Sequence, residues 1–372
     1  MGRLKQLDWP IIAITATLCT IGLLMIYSAS SPGELQLVRK QIIWLIVGVI
    51  VMVVVMAVDY HRWRRLAVLI YVISLMLLFL TLFWGTEIGG SRRWFSLGFI
   101  NLQPSEFAKV AVVISLAWHL RSRVSKLERF SQLLPYIAHV TIPALLVFLE
   151  PDLGTSIVFA FLLIGMLFAS GIRSRHLLGL LGIGAAAVPP LFYLVLQEYQ
   201  RERLLIFLNP MRDPLGVGYS VIQSKIAIGS GGLLGKGFLQ GTQSNLNFLA
   251  ADDTDFIFSV LAEEFGLIGG IILLALYLML IWRGLRIARE APDRFGGLLA
   301  VGIVVILLSH VIINVGMATG MLPTKGLPLT FVSYGGSSLW ASLIGIGILL
   351  NIGIQSKELR MKRFSEGQPS RV

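Results

Sequence analysis

Residues 66–84 read LAVLIYVISLMLLFLTLFW, a run of 19 residues that contains no Asp, Glu, Lys or Arg. A helix needs about 20 such residues to cross the hydrocarbon core of a bilayer, so this run predicts a transmembrane helix. The whole 372-residue chain agrees with it: 56% of the residues are hydrophobic, 14% are charged, and the mean hydropathy is +0.80. Soluble domains are about one quarter charged, so the composition excludes soluble, disordered, collagen-like and disulfide-scaffold classes.

Nine further apolar stretches accompany this one, and some of them are shorter than a full span. The expected fold is an all-α polytopic integral membrane protein with ten transmembrane helices, forming one domain over residues 1–372. A long extracytoplasmic loop is expected between helices 7 and 8. The expected spans are 9–29, 42–58, 66–84, 107–120, 134–149, 155–170, 177–197, 256–282, 297–319 and 338–354.

The formal net charge of +11 is a topology signal rather than a sign of nucleic-acid binding. If the N-terminus is cytoplasmic, 20 of the 31 Lys and Arg residues fall on the inner side. This asymmetry follows the positive-inside rule and predicts that both termini are cytoplasmic. The first apolar run has no clear cleavage site, so we expect it to stay as a signal anchor.

Two outer loops are long enough to carry function. They cover 85–106 and 198–255, and irregular backbone at membrane depth survives only where it is buried in protein or lines a wet cavity. We therefore expect a groove on the outer face. The basic tail, 356–372, is expected to be disordered and to lie against anionic lipid.

Several familiar motifs are weak here. The stretch GSGGLLGKG at 229–237 is not a phosphate-binding loop, because Ser230 replaces the first glycine and Gly237 replaces the required Ser or Thr. It can still form a turn that brings Lys236 to an anion. The five histidines have no pair at metal-ligand spacing, and Cys19 has no partner and fits a small core position.

Ionisable residues inside or beside apolar spans are costly, which makes them candidate functional residues. Glu106 and Lys109 are three apart at the start of the fourth span and share a helix face. Glu150 and Asp152 lie at the turn between the fifth and sixth spans, and Asp255 precedes the eighth. Structural roles are the alternatives: Asp152 and Asp255 as helix caps, and Glu106–Lys109 as an ion pair.

The outer loops also carry positive charge. Carboxylates and cations on one face suit transfer from an anionic lipid carrier, because cations hold a pyrophosphate and a carboxylate takes a proton from an attacking hydroxyl. Contact with lipid headgroups is the alternative for the two adjacent arginines. The loop cations are Arg92, Arg93, Lys225, Lys236 and Lys325.

Six motifs in a fixed order carry a resemblance to a known family. They are MIYSAS (25–30), SRRWFSLGFINLQPSEFAK (91–109), EPDLGTS (150–156), GYSVIQSKIAIGSGGLLGKGFLQGTQSNLNFL (218–249), TDFIFSVLAEEFG (254–266) and FVSYGGSS (331–338). Over essentially its whole length the sequence resembles the SEDS family of bacterial cell-wall polymerases, which includes RodA, FtsW and sporulation relatives. The glycine-rich motif looks more like RodA, the elongation member, and LPTKGL (322–327) looks more like FtsW.

The resemblance implies a peptidoglycan glycosyltransferase that polymerises lipid II on the outer face of the cytoplasmic membrane, in cell elongation and rod shape. It places the family's essential aspartate on Asp255 and other sensitive positions on Glu106, Lys109 and Asp152. It implies a class B penicillin-binding protein as partner, bound through its membrane helix and the long outer loop, beside other membrane proteins of the elongation complex. The expected substrate-binding residues are Arg92, Arg93, Asp152, Lys225, Lys236, Lys325 and Ser333.

The sequence departs from the family pattern ahead of the eighth span. Ala250, Ala251 and Asp253 replace the Pro, Glu and His of the usual PE-x-HTD, and Thr330 replaces a common proline. A second carboxylate two residues from Asp255 pushes one of the two toward protonation or invites a cation. A divalent ion, Mg or Mn, held by Asp255 and Asp253 is therefore left open, and no other cofactor is expected.

The expected mechanism is an inverting transfer. Asp255 acts as general base on the acceptor's GlcNAc 4-hydroxyl, and undecaprenyl diphosphate leaves. The positive end of the following helix favours the ionised carboxylate of Asp255, which keeps it deprotonated at neutral pH but makes it a weaker base. Positioning of the two reacting groups must therefore supply much of the rate. Two alternatives stay open from the sequence: a lipid II flippase, and a non-catalytic scaffold of the elongation or division machinery.

Overall fold

The fold is a bundle of long helices, with short helices and a small sheet at one end. It is a computed structural model that describes residues 6–30, 35–88, 91–96, 98, 101–122, 129–196, 198–245, 248–249, 254–323 and 326–365. Thirteen α-helices occur in these ranges. They are α1 Trp9–Ala29, α2 Gln36–Ala57, α3 Tyr60–Trp84, α4 Pro104–Leu120, α5 Leu134–Leu149, α6 Leu153–Ala169, α7 Ser174–Pro190, α8 Glu198–Leu208, α9 Val217–Gly231, α10 Thr242–Asn245, α11 Ile257–Glu290, α12 Arg294–Ala318 and α13 Gly336–Ser365.

Each of the ten predicted spans overlaps one of the long helices. In the described part of the chain, eight helices are long and apolar enough to cross a membrane. The helices over the other two predicted spans, α4 and α6, have 17 residues each. The multi-pass architecture is therefore supported, while the count of ten crossings stays a prediction.

Aspartate caps fix where four of the helices begin. The carboxylates of Asp8, Asp59, Asp152 and Asp293 accept backbone N–H groups at the first turns of α1, α3, α6 and α12. Such caps satisfy donors that the helix itself leaves unpaired. Asp152 thus has the structural role that the sequence offered as an alternative.

The segment after α3 forms a three-stranded antiparallel sheet, which the all-α prediction omitted. Its strands are β1 Thr86–Ile88, β2 Ser91–Ser96 and β3 Asn101–Leu102, in the order β1-β2-β3. Successive residues of a strand point to opposite faces, so the adjacent arginines of β2 face different surroundings. The bounds of the sheet lie inside the predicted outer loop.

The predicted loop 198–255 is largely helical where it is described. It contains α8, a 3₁₀ turn at Pro210–Arg212, α9 and α10. Helix α9 packs against α11. The Ser224 hydroxyl of α9 lies 2.6 Å from that of Ser259 and donates to Ala318 O, so α9 is attached to both α11 and α12.

Helix α12 is the centre of the bundle, since it packs against α4, α6, α11 and α13. The outer helices α2 and α3 expose many large apolar side chains, such as Ile46 and Phe83, as expected for helices surrounded by lipid. Helix α11 is broken at Gly266, whose φ of 64° and ψ of −161° lie outside the helical region.

Contacts of α1 define the two ends of the bundle. Asp8, ahead of α1, accepts Arg283 Nη2 near the end of α11 at 2.8 Å. Ser28, near the end of α1, donates to Glu264 in the first half of α11. We call these the Asp8 end and the Asp255 end. Lys357 Nζ reaches Leu7 O at 3.2 Å, so both described termini lie at the Asp8 end.

The sequence predicts disorder after residue 355, and the structure contradicts that prediction for residues 356–365. Helix α13 continues to Ser365. Ser356 donates to Glu290 O, and Arg360 lies 4.0 Å from the Glu290 carboxylate. These contacts join the polar end of α13 to the end of α11. The amino-acid composition of the tail does not reveal them.

Candidate active site

Glu106, Lys109 and His310 form a buried polar triad at the Asp255 end. Their exposed fractions are 2%, 1% and 1%. Lys109 Nζ donates to Glu106 Oε1 at 2.8 Å and to His310 Nε2 at 2.7 Å. His310 Nδ1 lies 3.0 Å from Pro328 O. The predicted Glu106–Lys109 pair therefore exists, and it is attached to α12 through a histidine.

Asp255 lies in the turn ahead of α11. That helix begins at Ile257 with Phe256 as its N-cap residue, so Asp255 precedes the cap position. Asn314 Nδ2, on α12, donates to Asp255 O at 2.9 Å and to Leu327 O at 2.8 Å. One buried amide therefore fixes the backbone that carries the candidate base.

The segment 326–333 surrounds Asp255 on another side. A β-carbon on Gly326 would lie 1.8 Å from Asp255 Oδ2, so the carboxylate lies against a bare backbone. Ser333 Oγ donates to Thr254 O at 2.6 Å and accepts Leu329 N–H at 2.8 Å. Ser333 thus braces the residue before Asp255, a role that differs from the predicted substrate contact without testing it.

The adjacent arginines of β2 separate as strand alternation requires. Arg93 Nη1 lies 3.2 Å from Asp152 Oδ2 and is 21% exposed. Arg92 Nε lies 3.5 Å from Glu87 Oε2, and both of those side chains are exposed. Gln103 Nε2 also approaches Asp152 Oδ2, at 3.4 Å. Asp152 therefore joins the sheet, the start of α4 and the start of α6.

Glu150 is buried without a hydrogen-bond partner in the described part of the chain. Its exposed fraction is 1%, and neither carboxylate oxygen has a donor. Burial, reinforced by the nearby Asp152 carboxylate and partly opposed by Arg93, raises the pKa of Glu150 to about 9. The side chain is therefore a neutral acid at pH 7, which is how a carboxyl tolerates such a place.

Lys236 already has an anionic partner. Its Nζ lies 2.6 Å from Glu263 Oε1 and 2.8 Å from Thr242 Oγ1. The same Glu263 oxygen accepts the backbone N–H groups of Thr242 and Gln243. Glu263 thus ties the glycine-rich turn and α10 to the first half of α11, and the charge of Lys236 is neutralised there.

The remaining predicted residues are dispersed. Lys225, on α9, is exposed and has no acidic partner among the described residues, and its side chain lies against Gly320. Lys325 and Asp253 lie outside the described residues. The described part of the chain holds no group of three or more His, Cys, Asp or Glu side chains suited to a metal ion.

The cavities at the two ends of the bundle differ in volume. Two of them, of about 1030 and 420 Å³, lie at the Asp8 end, beside Arg289 and Asp59. A cavity of about 10 Å³ touches Glu106 and Lys109. A substrate can therefore meet Lys109 only if the surrounding helices part, whereas Arg92 is exposed and Arg93 is partly exposed beside Asp152.

Sequence reasoning missed His310 and Asn314. Metal-ligand spacing finds no role for His310, and none of the six motifs includes Asn314. The available signal was their i, i+4 spacing within the apolar span 297–319, since polar residues inside a membrane span are expensive to place. The residues that His310 and Asn314 contact are distant in the sequence, so the i, i+4 spacing alone does not predict what these side chains do.

A family model for FtsW, RodA and SpoVE, described as cell cycle protein, matches residues 9–358. The chain is 42% identical over 354 residues to the peptidoglycan glycosyltransferase MrdB of Escherichia coli, covering 95% of each chain. It is 40% identical over 361 residues to the probable peptidoglycan glycosyltransferase FtsW of Trichlorobacter lovleyi, covering 94% of each.

Solved structures share the fold. A chain from a peptidoglycan synthase complex, studied for the coordination of polymerization and crosslinking, superimposes with a TM-score of 0.82 at 33% identity. That match covers 94% of this chain and 98% of the other. The rod shape determining protein RodA of Thermus thermophilus matches with a TM-score of 0.71 at 30% identity, covering 93% and 96%.

Proposed function

This chain belongs to the FtsW, RodA and SpoVE family and is a peptidoglycan glycosyltransferase, and from that premise we propose that it polymerises lipid II on the outer face of the cytoplasmic membrane. The resemblance read from the six motifs is thereby confirmed at the level of family and enzyme class.

The observation that carries the proposal is that the buried carboxyl groups and the buried lysine of the described residues lie at the Asp255 end of an apolar bundle. Asp255 and the Glu106–Lys109 pair lie at that end, as does the Arg93–Asp152 pair. A reaction between two lipid-linked saccharides needs a base and cations close to the membrane surface, and this is where the chain places them.

In the proposed reaction, Asp255 takes the proton of the acceptor's GlcNAc 4-hydroxyl. The hydroxyl oxygen attacks C1 of the donor's MurNAc as the bond from C1 to the pyrophosphate oxygen breaks, which inverts the anomeric centre. The bonding electrons leave with undecaprenyl diphosphate. Arg92 and Arg93 neutralise the pyrophosphate first, because both are exposed enough to contact it.

Other cations have secondary roles in this proposal. Lys225 is exposed and meets the pyrophosphate from α9. Lys325 stays a predicted substrate-binding residue. Lys109 joins only when the helices part, and Lys236 only when Glu263 releases it. The divalent cation predicted at Asp255 and Asp253 stays a prediction, because Asp253 lies outside the described residues.

We place this activity in cell elongation, with a class B penicillin-binding protein as partner. The elongation role follows from the likeness of the glycine-rich motif to RodA, and the comparison with Thermus thermophilus RodA supports it. The peptidoglycan synthase complex whose chain shares this fold supports a crosslinking partner. We expect that partner to contact the chain through its membrane helix and the segment 198–255.

Incubation of labelled lipid II with the purified full-length protein tests the proposal. We expect long glycan strands from the wild type and a loss of about 10²- to 10⁴-fold for Asp255→Asn, because that change removes the general base and keeps its shape. Glu202→Gln is the matched control, since Glu202 is an exposed carboxylate of α8. Gel separation of the strands, with and without the partner, is the measurement.

The outcomes separate the three functions. Equal polymerisation by wild type and Asp255→Asn would remove Asp255 from the mechanism. No strands from folded wild type with its partner present would overturn the polymerase proposal. Translocation of labelled lipid II in proteoliposomes would then support the flippase, and its absence the scaffold.

A further inference from the structure

Two buried polar residues of α12 are shared between the parts of the site. His310 and Asn314 have exposed fractions of 1% and 0%, and they are four residues apart. Side chains at this spacing lie on one helix face with their β-carbons about 5–6 Å apart. The side chains of both residues contact elements outside α12. One face of α12 therefore reaches both the buried Lys109 and the turn that contains Asp255.

The contacts of His310 define its protonation. The ammonium of Lys109 has only donors, so Nε2 of His310 must accept and the ring proton must lie on Nδ1. Nδ1–H then donates to Pro328 O. The ring is therefore neutral, and its two nitrogens connect Lys109 to the segment that lies against Asp255.

The contacts of Asn314 define its orientation. Both partners, Asp255 O and Leu327 O, are acceptors, so the NH₂ group must face them. A flipped amide would place its oxygen against two carbonyl oxygens. The two N–H groups thus fasten the turn of Asp255 to Leu327, one residue from the Pro328 carbonyl that accepts from His310.

We propose that His310 and Asn314 are positioning residues of the transferase site, acting through Lys109 and through the backbones of Asp255 and 326–328. Together they hold the buried cation and the candidate base in one fixed geometry. This inference rests on the proposed polymerisation of lipid II. Neither residue touches substrate in this scheme, so neither is a catalytic residue.

Lys109 also has one N–H group with no hydrogen-bond partner among the described residues. An ammonium has three N–H groups, and Glu106 and His310 take two of them. Loss of the His310 acceptor would free the ammonium to turn toward Glu106 alone. We therefore expect the chemical step to suffer more than substrate binding, because neither His310 nor Asn314 touches substrate in this scheme.

The test uses replacements at the two positions in the full-length protein in nanodiscs. His310→Leu and Asn314→Leu remove the polar contacts at similar volume, and we expect kcat for lipid II polymerisation to fall on the order of 100-fold while KM stays near wild type. His310→Gln keeps an acceptor for Lys109 and a donor for Pro328 O. We expect it to recover most of the lost kcat.

Hydrogen exchange gives a second readout that does not depend on activity. In both leucine variants we expect faster amide exchange in 254–262 and in 326–335, because these segments lose their shared anchor. Ser309→Ala is the matched control, since among the described residues the Ser309 hydroxyl donates to Ile306 O of its own helix and to no other element. We expect wild-type kcat and wild-type exchange for it.

Several results would overturn the positioning role. They are unchanged kcat in His310→Leu, a His310→Gln variant as defective as His310→Leu, or unchanged exchange in both segments. If the folded wild type makes no strands, the polymerase proposal fails on that result alone. The exchange data then decide the positioning role separately, since they report the anchor itself.

Discussion

Gly326 shows how a residue without a functional group shapes the site. A β-carbon there would lie 1.8 Å from Oδ2 of Asp255 and 2.3 Å from its Cγ, far inside contact distance. Asn314 ties the backbones of Asp255 and Leu327 together, so the two segments cannot simply move apart. The position of the carboxylate therefore depends on the absence of a side chain opposite it.

Gly326→Ala should consequently displace the Asp255 side chain without unfolding the protein. We expect polymerisation of lipid II to fall by about 100-fold, because a misplaced base loses its alignment with the attacking hydroxyl. The melting temperature should stay near wild type, since the collision is relieved by rotation of one side chain. Strand yield and thermal unfolding of the purified protein are the two measurements.

Gly335→Ala is the control for that substitution. A β-carbon on Gly335 has only Ser338 Cβ nearby, at 4.0 Å, so alanine fits. Activity of Gly326→Ala equal to that of Gly335→Ala would mean that the carboxylate can function from another position.

At the level of elements, the break in α11 explains the glycine-rich motif. An unbroken helix would pair Leu267 N and Ile268 N with the carbonyls of Glu263 and Glu264. Instead, those carbonyls accept Lys236 N and Gly237 N, and the two freed amides donate to Gly232 O and Leu233 O. The turn 232–237 thus provides hydrogen-bond partners for these two carbonyls and two amides. Such pairing is required inside a membrane, where no water is present to bind unpaired backbone groups.

Gly235 is the residue on which this fit depends. Its φ is +82°, and a β-carbon would lie 2.1 Å from Glu264 O, a backbone atom. We expect Gly235→Ala to lower the free energy of unfolding by more than about 2 kcal/mol, because left-handed strain is added to a backbone collision. Thermal unfolding in detergent measures the change.

Gly229→Ala is the opposite case on the neighbouring helix α9. Nothing lies within 4 Å of its added β-carbon, and alanine favours a helix by up to about 1 kcal/mol over glycine. A Gly235→Ala variant as stable as Gly229→Ala would show that the turn does not complete the broken helix.

Across the whole molecule, polar contacts close both ends of the bundle. At the Asp8 end, the Asp8–Arg283 pair joins α1 to α11, and Tyr60 OH donates to Asp293 at 3.1 Å. The groups assigned to the transferase reaction lie at the opposite end. The positive-inside rule predicts that the Asp8 end faces the cytoplasm, which would place the reaction on the outer side.

Cysteine labelling in intact cells tests that orientation. Cys19 is the chain's one cysteine and is buried, so a Cys19→Ser protein is a suitable background. Arg212→Cys marks the Asp255 end and Arg289→Cys the Asp8 end, since both arginines are exposed. An impermeant maleimide should label the first in spheroplasts and the second only after the membrane is opened. The reverse pattern would place the candidate active site in the cytoplasm.

The sequence by itself determined the membrane class, the ten helical segments, the family and the candidate base. These follow from local properties, because the transfer free energies of consecutive residues add along one span and motifs are read in order. It also paired Glu106 with Lys109, three residues apart. It did not find the small sheet or the helical tail, whose partners lie in other segments.

Only the tertiary structure decided which charged groups have partners. His310 meets Lys109 across 201 positions of the chain, and Ser28 meets Glu264 across 236. The same packing paired Lys236 with Glu263 and left the Glu150 carboxyl without a hydrogen-bond partner among the described residues. Pairing of buried polar groups depends on distances of about 3 Å between side chains of different helices, and the order of residues along one helix contains no such distance.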